Sequence, residues 1–138
     1  MIREQSPRVE LKLALLNLLD ARAVEHPAGH QGKLAARYVL YRSDGDVIEL
    51  MFEKHPSTPA NLWVAERHGA SLMRLGIEYR ASPATDLLVP GEGERAVRYG
   101  RHSALKPMRQ LAYAELVRFT VRSVDELEVL LDGLVDCR

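Results

Sequence analysis

Cysteine, aromatic residues and long apolar runs are all scarce in this chain. One of its 138 residues is a cysteine, Cys137, and 6% are aromatic. A lone cysteine forms no disulfide within its own chain, which predicts a reducing compartment. The apolar runs are a few residues long, whereas a membrane-spanning helix requires about 20. The charged residues near the N-terminus also differ from the apolar core of a secretory leader. We therefore expect a cytoplasmic protein with no membrane partner.

An excess of charge of either sign is also lacking. Lysine and arginine number 19, aspartate and glutamate number 19, and the formal net charge is zero. This balance excludes a protein whose whole surface binds nucleic acid, but it leaves room for a local basic patch. Hydrophobic residues at 46% and charged residues at 28% are typical of a globular protein. The length predicts a single domain that spans residues 1–138.

Motifs for catalysis, metal binding and cofactor binding are lacking as well. The five histidines follow no metal-ligand spacing, and Pro27 and Gly29 keep His26 and His30 from sharing a helix face. The segment 29–33 lacks the glycine spacing of a phosphate-binding P-loop, and no Gly-x-Ser-x-Gly elbow is present. We predict no catalytic residue, no metal and no cofactor, and we expect the histidines to lie in exposed loops.

Two helices are predicted, one near each end of the chain. The first begins at Ser6 and Pro7, a capping residue followed by a proline in the first turn, and covers about 9–24. The second begins with a capping box, in which Ser123 and Glu126 stand three residues apart. Its apolar residues recur on one helix face. They are Leu127, Leu130, Leu131 and Leu134.

Between these helices, the apolar pattern predicts strands. The strongest local signal is a hairpin in which the strands 38–41 and 47–54 flank an Asp-Gly turn. Further strands are expected over 61–65, 77–79, 87–89, 95–99 and 116–122, and shorter helices over 70–75 and 107–114. These elements alternate irregularly, which predicts an α+β fold. We expect one domain with a mixed or mostly antiparallel sheet, and with the N-terminal and C-terminal helices packed on it.

Three carboxylates at the hairpin, Asp46, Glu49 and Glu53, suggest an alternative function. Glu49 and Glu53 share one face of a strand, and clustered carboxylates bind Mg²⁺ in metal-dependent nucleases. Lys54 follows directly and points to the opposite face, so it cannot assist the same metal. A strand with one solvent-exposed face is therefore the simpler interpretation.

Positive charge is concentrated between Glu94 and Arg122, where seven lysines and arginines stand against two acids. At its centre is the segment Tyr99–Arg109, which we expect to be a loop. If the strand 116–122 lies beside the strand 95–99, their arginines share a face with the cations of this loop. Such a surface contacts phosphates, and tyrosines stack on bases. The candidate residues for binding an anion or nucleic acid are Arg98, Tyr99, Arg101, His102, Lys106, Arg109, Arg118 and Arg122.

These features predict a small non-catalytic binding or accessory protein. Its cationic surface, within residues 95–122, would contact nucleic acid or an acidic surface on a protein partner. One alternative is the metal-dependent nuclease that uses the hairpin carboxylates. Another is a structural dimerisation module, a homo-oligomer in which a free sheet edge pairs with a second copy.

Overall fold

The computed structural model describes residues 7–84, 88–90 and 97–136, and of residues 88–90 and 97–98 it describes the main chain alone. The predicted cap at Ser6 lies outside the described residues. The helices are α1 (Pro7–Arg22), α2 (Glu66–Gly69) and α3 (Val124–Val135), with 3₁₀ helices at Ala70–Leu75 and Ser103–Leu105. The strands are β1 (Val24–Glu25), β2 (Ala35–Tyr41), β3 (Val47–Glu53), β4 (Asn61–Ala65), β5 (Glu78–Ser82), β6 (Leu88–Pro90), β7 (Val97–Tyr99) and β8 (Leu116–Thr120).

Six of these strands form one antiparallel sheet in the order β1-β2-β3-β4-β8-β5. The strands β6 and β7 pair with each other in a separate two-stranded ribbon. Helices α1 and α3 pack on one face of the large sheet. The prediction of an α+β fold, with an N-terminal and a C-terminal helix on a mostly antiparallel sheet, is confirmed.

The hairpin of β2 and β3 forms where the sequence predicts it. Its register pairs Ala35 with Glu53 and Tyr41 with Val47, so β2 begins three residues before the predicted start. In the turn between the strands, Gly45 has a φ of 89°. Glycine adopts this left-handed conformation without steric cost, and other residues do not.

The face of the sheet that meets α1 and α3 carries the main core. Successive side chains of a strand face opposite sides, so alternate apolar residues point to the helices. The buried strand residues are Ala36, Tyr38, Leu40, Ile48, Leu50, Phe52, Leu62, Val64, Val117 and Phe119, and the helices add Leu15, Leu19, Leu127, Leu130, Leu131 and Leu134. The apolar stripe predicted for the last helix is therefore confirmed. Full burial of one such large side chain contributes about 1.5–3 kcal/mol.

Helix α3 begins at the predicted cap. The Ser123 hydroxyl accepts a hydrogen bond from the Glu126 N–H at 3.1 Å, and the Glu126 carboxylate accepts one from the N–H of Arg122 at 2.8 Å. The second bond reaches one residue further back than in the usual capping box. It still satisfies a main-chain donor at the helix start, where the acidic side chain also suits the helix dipole.

The opposite face of the sheet, which we call the outer face, is covered by residues 100–115, which we call the outer cover. Its apolar residues form a second core with the strands. Members of this core are Ala35, Met51, Trp63, Ala65, Ala104, Leu105, Met108, Leu111 and Leu116. The exposed strand face predicted for Glu49 and Glu53 is therefore wrong, because Glu49 is 7% and Glu53 is 5% exposed. The sheet is therefore covered on both sides at β3 and β4.

Several predictions for the second half of the chain are wrong. Residues 107–114 form turns, and the helical turn precedes them at Ser103–Leu105. Strand β8 pairs with β4 and β5, while β7 pairs with β6, so the predicted arrangement of arginine-bearing neighbours does not occur. The short helix predicted over 70–75 is confirmed: it is a 3₁₀ helix that ends at Gly76, which has a φ of 83°.

Candidate anion-binding cavity

A row of large side chains crosses the outer face towards one edge of the sheet. The strand register pairs Trp63 of β4 with Arg118 of β8, and Arg118 with Arg80 of β5. Directly opposite residues of antiparallel strands point to the same face, with Cβ atoms about 5 Å apart. The fold therefore places two arginines side by side, next to a tryptophan.

These three side chains border a cavity of about 390 Å³. Cavities that bind small ligands typically measure about 300–1,000 Å³. Strands β3, β4, β8 and β5 and the beginning of the outer cover all contribute to its lining. The lining residues are Glu53, Trp63, Arg80, Ala81, Ser82, Gly100, Arg101, His102 and Arg118. Because three arginines stand against one glutamate, we call this the cationic cavity.

Arg118 and Arg80 lie next to each other without a carboxylate partner among the described residues. The guanidinium carbon of Arg118 lies 5.9 Å from the centroid of the Trp63 ring, a cation–π contact. Its Nε is buried and has no hydrogen-bond partner in the described part of the chain. Arg80 is exposed and likewise has no described partner. Like charges directly opposite each other destabilise a sheet, so an anion bound here would relieve their repulsion.

Arg101 brings a third positive charge, and it is buried. Its side chain is 8% exposed. Its Nε donates to the Ser82 hydroxyl at 3.1 Å and its Nη2 to the Ser82 carbonyl at 2.8 Å. Its Nη1 donates to the carbonyls of Leu111 and Ala112 at 3.4 and 3.5 Å. All these acceptors are neutral, whereas buried charges are normally paired with an opposite charge.

Glu53 and His102 supply the other polar groups of the cavity. The Glu53 carboxylate accepts a hydrogen bond from the Trp63 Nε1 at 2.7 Å. The His102 Nδ1 accepts one from the Ala104 N–H at 3.1 Å, which leaves the proton of the neutral ring on Nε2. Burial lowers the pKa of His102, because the charged ring loses hydration, and the Glu53 charge opposes this effect. At neutral pH, His102 is therefore an uncharged hydrogen-bond donor.

The structure brings three of the predicted binding residues, Arg101, His102 and Arg118, into this cavity. Other predicted residues lie elsewhere. Lys106 is exposed, and its ammonium lies 5.6 Å from the centroid of the Tyr99 ring. The Tyr99 hydroxyl donates to a main-chain carbonyl at 2.7 Å, and burial raises its pKa. Tyr99 therefore holds the outer cover in place.

Two further predicted residues, Arg109 and Arg122, do not line the cationic cavity. Arg109 is exposed. Arg122 forms an ion pair of 2.5 Å with Glu78, and both side chains are largely solvent-exposed. The side chain of Arg98 lies outside the described atoms. Exposed ion pairs contribute little to stability, so Arg122 has a local role at the edge of the sheet.

Arg80 and Trp63 are among the cavity residues that the sequence-based candidates omit. Trp63 lies in the predicted strand 61–65, and Arg80 directly follows the predicted strand 77–79. The alternation of side chains along a strand indicates which face each residue would take, but not which residues of other strands lie beside it. Their proximity depends on β8 lying between β4 and β5, and strand order is not encoded in local sequence patterns. Arg80 also lies outside the basic region of residues 95–122, so the concentration of charge along the sequence did not identify it as a binding residue.

The loops that contain His30 and His102 meet, although the cationic cavity borders the second loop alone. The Gln31 side-chain amide donates to the Ser103 hydroxyl at 3.1 Å. Arg37, which is 8% exposed, donates to a carbonyl of each loop, at 3.0 Å and 2.8 Å. Burial lowers the pKa of Arg37, since its charge has lost hydration. This arginine ties the outer cover to the sheet.

None of the five histidines is exposed, and His68 lies in α2, so the prediction that the histidines lie in exposed loops is wrong. His26 is buried. Its Nε2 lies 2.5 Å from the Glu49 carboxylate, and its Nδ1 accepts from the Ala28 N–H at 2.9 Å. The second bond places the ring proton on Nε2, which therefore donates to Glu49. Glu49 also accepts from the N–H of Gln110 at 2.6 Å. This network anchors the outer cover at a second place.

The three carboxylates of the nuclease hypothesis have separate partners. Asp46 accepts from the Val47 N–H at 3.0 Å within the turn. Glu49 and Glu53 bond to a histidine and to a tryptophan, respectively. Within residues 7–84, 88–90 and 97–136, no group of three or more histidine, cysteine, aspartate or glutamate residues is placed to hold a metal ion.

Among the described residues, no helix is long and apolar enough to cross a membrane. Comparison with protein-family models, with curated proteins and with solved structures finds no match to this chain.

Proposed function

We propose that this protein is a non-catalytic binding module that holds an anionic group of its ligand in the cationic cavity. One observation carries the proposal: Arg80, Arg101 and Arg118 line one cavity, and none of them pairs with a carboxylate of the described residues. An unpaired cluster of cations costs stability. A bound carboxylate or phosphate offsets that cost through charge-assisted hydrogen bonds.

The chemistry of the lining favours a small anionic group. Guanidinium groups donate in a planar fork that matches the oxygens of a carboxylate or a phosphate. His102 adds a neutral donor, and Glu53 limits the negative charge that the cavity accepts. Each charge-assisted hydrogen bond contributes about 1.5–3 kcal/mol, so two or three of them suffice for binding of an anionic group within a larger ligand.

Tryptophan fluorescence provides a direct test, because the chain contains one tryptophan and Trp63 lines the cavity. Titration with inorganic phosphate and with glutamate should change the emission in a saturable way. The variants Arg80→Gln and Arg118→Gln should each weaken binding about tenfold, which corresponds to about 1.4 kcal/mol. Arg74→Gln, at an exposed arginine outside the cavity, is the matched control and should bind as the wild type does.

Higher salt should weaken the binding, because chloride and sodium screen the charges. The absence of saturable binding for both anions at low salt would contradict the proposal. So would equal affinities for the wild type, Arg80→Gln and Arg118→Gln.

A further inference from the structure

Strand β5 forms one edge of the large sheet. Within the described residues it pairs with β8 alone. Four of its five residues are exposed, and the fifth, Ser82, is half-buried. An edge strand presents main-chain N–H and C=O groups that are free to pair with another extended chain. No proline interrupts β5, so its edge is suited to the addition of a strand.

The cationic cavity reaches this edge. Three consecutive residues of β5, Arg80, Ala81 and Ser82, line it. Ala81 is paired with Val117, whose side chain lies in the core on the helix side. The Ala81 side chain therefore points away from the outer face, so it is the main chain of Ala81 that borders the cavity. A ligand in the cavity lies beside the main chain of an edge strand.

A chain that pairs with β5 would extend the row of side chains on the outer face. That row runs from Trp63 through Arg118 to Arg80. The next member would be the residue of the added strand directly opposite Arg80. Opposite charges at such positions attract and like charges repel. An aspartate or glutamate at this position would neutralise the end of the row and reach into the cavity.

The neighbours of that acidic residue would point to the other face of the sheet. There they would meet Tyr79 and Ala81 of β5. Tyr79 is 46% exposed, and its ring lies 6.4 Å from that of Phe119. Apolar residues on both sides of the acid would bury this tyrosine further. The matching partner segment is extended and has the pattern apolar–acidic–apolar.

We propose that β5 binds an acidic segment of a partner protein by strand addition, with the acidic side chain in the cationic cavity. This proposal rests on the proposed function, because the cavity must accept a carboxylate. Nucleic acid fits less well, since it has no main-chain N–H and C=O groups to pair with an edge strand. Recognition would combine main-chain pairing, which gives affinity, with one charged pocket, which gives specificity.

The test uses fluorescein-labelled peptides of sequence Thr-Val-Glu-Val-Thr and fluorescence anisotropy with the whole protein. Replacement of the central glutamate by glutamine should weaken binding about tenfold or more, as expected for the loss of a charge-assisted contact. The protein variant Arg80→Gln should show a smaller difference in affinity between the two peptides, because the glutamate has then lost one of its cationic neighbours and retains Arg101 and Arg118. The control variant Arg74→Gln should show the same difference in affinity between the two peptides as the wild type does.

Main-chain pairing is tested by N-methylation of the glutamate peptide on alternate residues, in two complementary sets. Alternate main-chain N–H groups of a strand point to opposite sides. One methylated set should therefore abolish binding, and the other should leave it within about twofold. If both sets bind as the parent peptide does, strand addition is refuted.

The outcomes separate the two proposals. A saturable change of Trp63 emission with phosphate or glutamate, together with binding of both methylated peptides as tight as that of the parent, overturns strand addition and supports the anion cavity. No binding of free anions and no binding of peptides overturns both. Tighter binding of a single-stranded oligonucleotide, with displacement of the peptide, overturns the choice of a protein partner. A dimer that dissociates when Arg80 is replaced would show that a second copy occupies the edge.

Discussion

The substitution Arg80→Gln should stabilise the protein when no anion is bound, although it removes a charge from the proposed binding site. Arg80 stands directly opposite Arg118, and it has no carboxylate partner among the described residues. Cross-strand pairs change stability by about 0.2–1 kcal/mol. Because Arg80 is exposed, water screens its charge, and we expect a gain of about 0.5 kcal/mol. For a chain of this length that gain raises Tm by about 2 °C.

The measurement is urea denaturation, followed by circular dichroism at low ionic strength and again in about 0.5 M sodium chloride. The gain should shrink at high salt, because at that concentration the screening length is only a few ångströms. Addition of phosphate should make the wild type more stable than the variant, since a bound anion stabilises the wild type more than it stabilises the variant. Glutamine preserves much of the side-chain length, so packing changes little.

Arg74→Gln is again the control, and it should change stability by less than the experimental error of a few tenths of a kcal/mol. A loss of stability in Arg80→Gln at low salt, without added anion, would refute the reasoning that the cavity holds repelling charges. A gain that persists unchanged at high salt would show that its cause is not electrostatic.

Three further outcomes follow from other parts of the structure. Arg101→Met should destabilise the protein by about 2–4 kcal/mol in urea denaturation, because it leaves buried carbonyls without their donor; a change below about 0.5 kcal/mol would contradict its role as an anchor. Ser123→Ala should cost about 1 kcal/mol through loss of the α3 cap, and Ser123→Asp should retain most of the stability. Burial lowers the pKa of Lys12 from 10.5 to about 8. Between these two pH values the unfolded chain binds more protons than the folded chain does. The free energy of unfolding should therefore rise with pH, by at most about 3 kcal/mol. Denaturation curves at pH 8 and 9.5 should show this rise in the wild type and lose it in Lys12→Met.

The parts of the fold that the sequence predicts are those determined by near neighbours in the chain. The Asp-Gly pair marks the β2–β3 hairpin, because Gly45 supplies the left-handed conformation that its turn requires. The cap and the stripe of α3 lie within one helix and repeat at its period. Such signals need no knowledge of the rest of the molecule.

The outer cover could not be predicted in the same way. Residues 107–114 begin with a proline that permits a helix, yet their apolar side chains pack on the sheet from turns. The buried state of Glu49 depends on Gln110 and His26, which lie 61 and 23 residues away in the chain. Tertiary contacts of this kind override local propensity.

Only those residues of the candidate site that lie close together in the sequence were predicted. The local concentration of positive charge pointed to Arg101, His102 and Arg118, and these residues do line one cavity. Arg80 stands outside the basic segment and joins the site through strand order alone. A charge count along the chain finds residues near one another in sequence, whereas the row on the outer face runs across strands.

The anchors of the outer cover have a consequence for hydrogen exchange. Arg37 and Gln31 reach residues of the cover that lie 67 and 72 positions further along the chain. Contacts between such distant segments require the closure of a long loop, so they form late in folding. The cover should therefore detach as one unit while the sheet and its helices stay protected. Main-chain amides of residues 104–112 would then exchange together, faster than those of β3 and β4. The cavity would exist only while the cover is attached, because the cover supplies part of its lining. A ligand bound in the cavity would therefore slow hydrogen exchange in the cover before it affects the rest of the sheet.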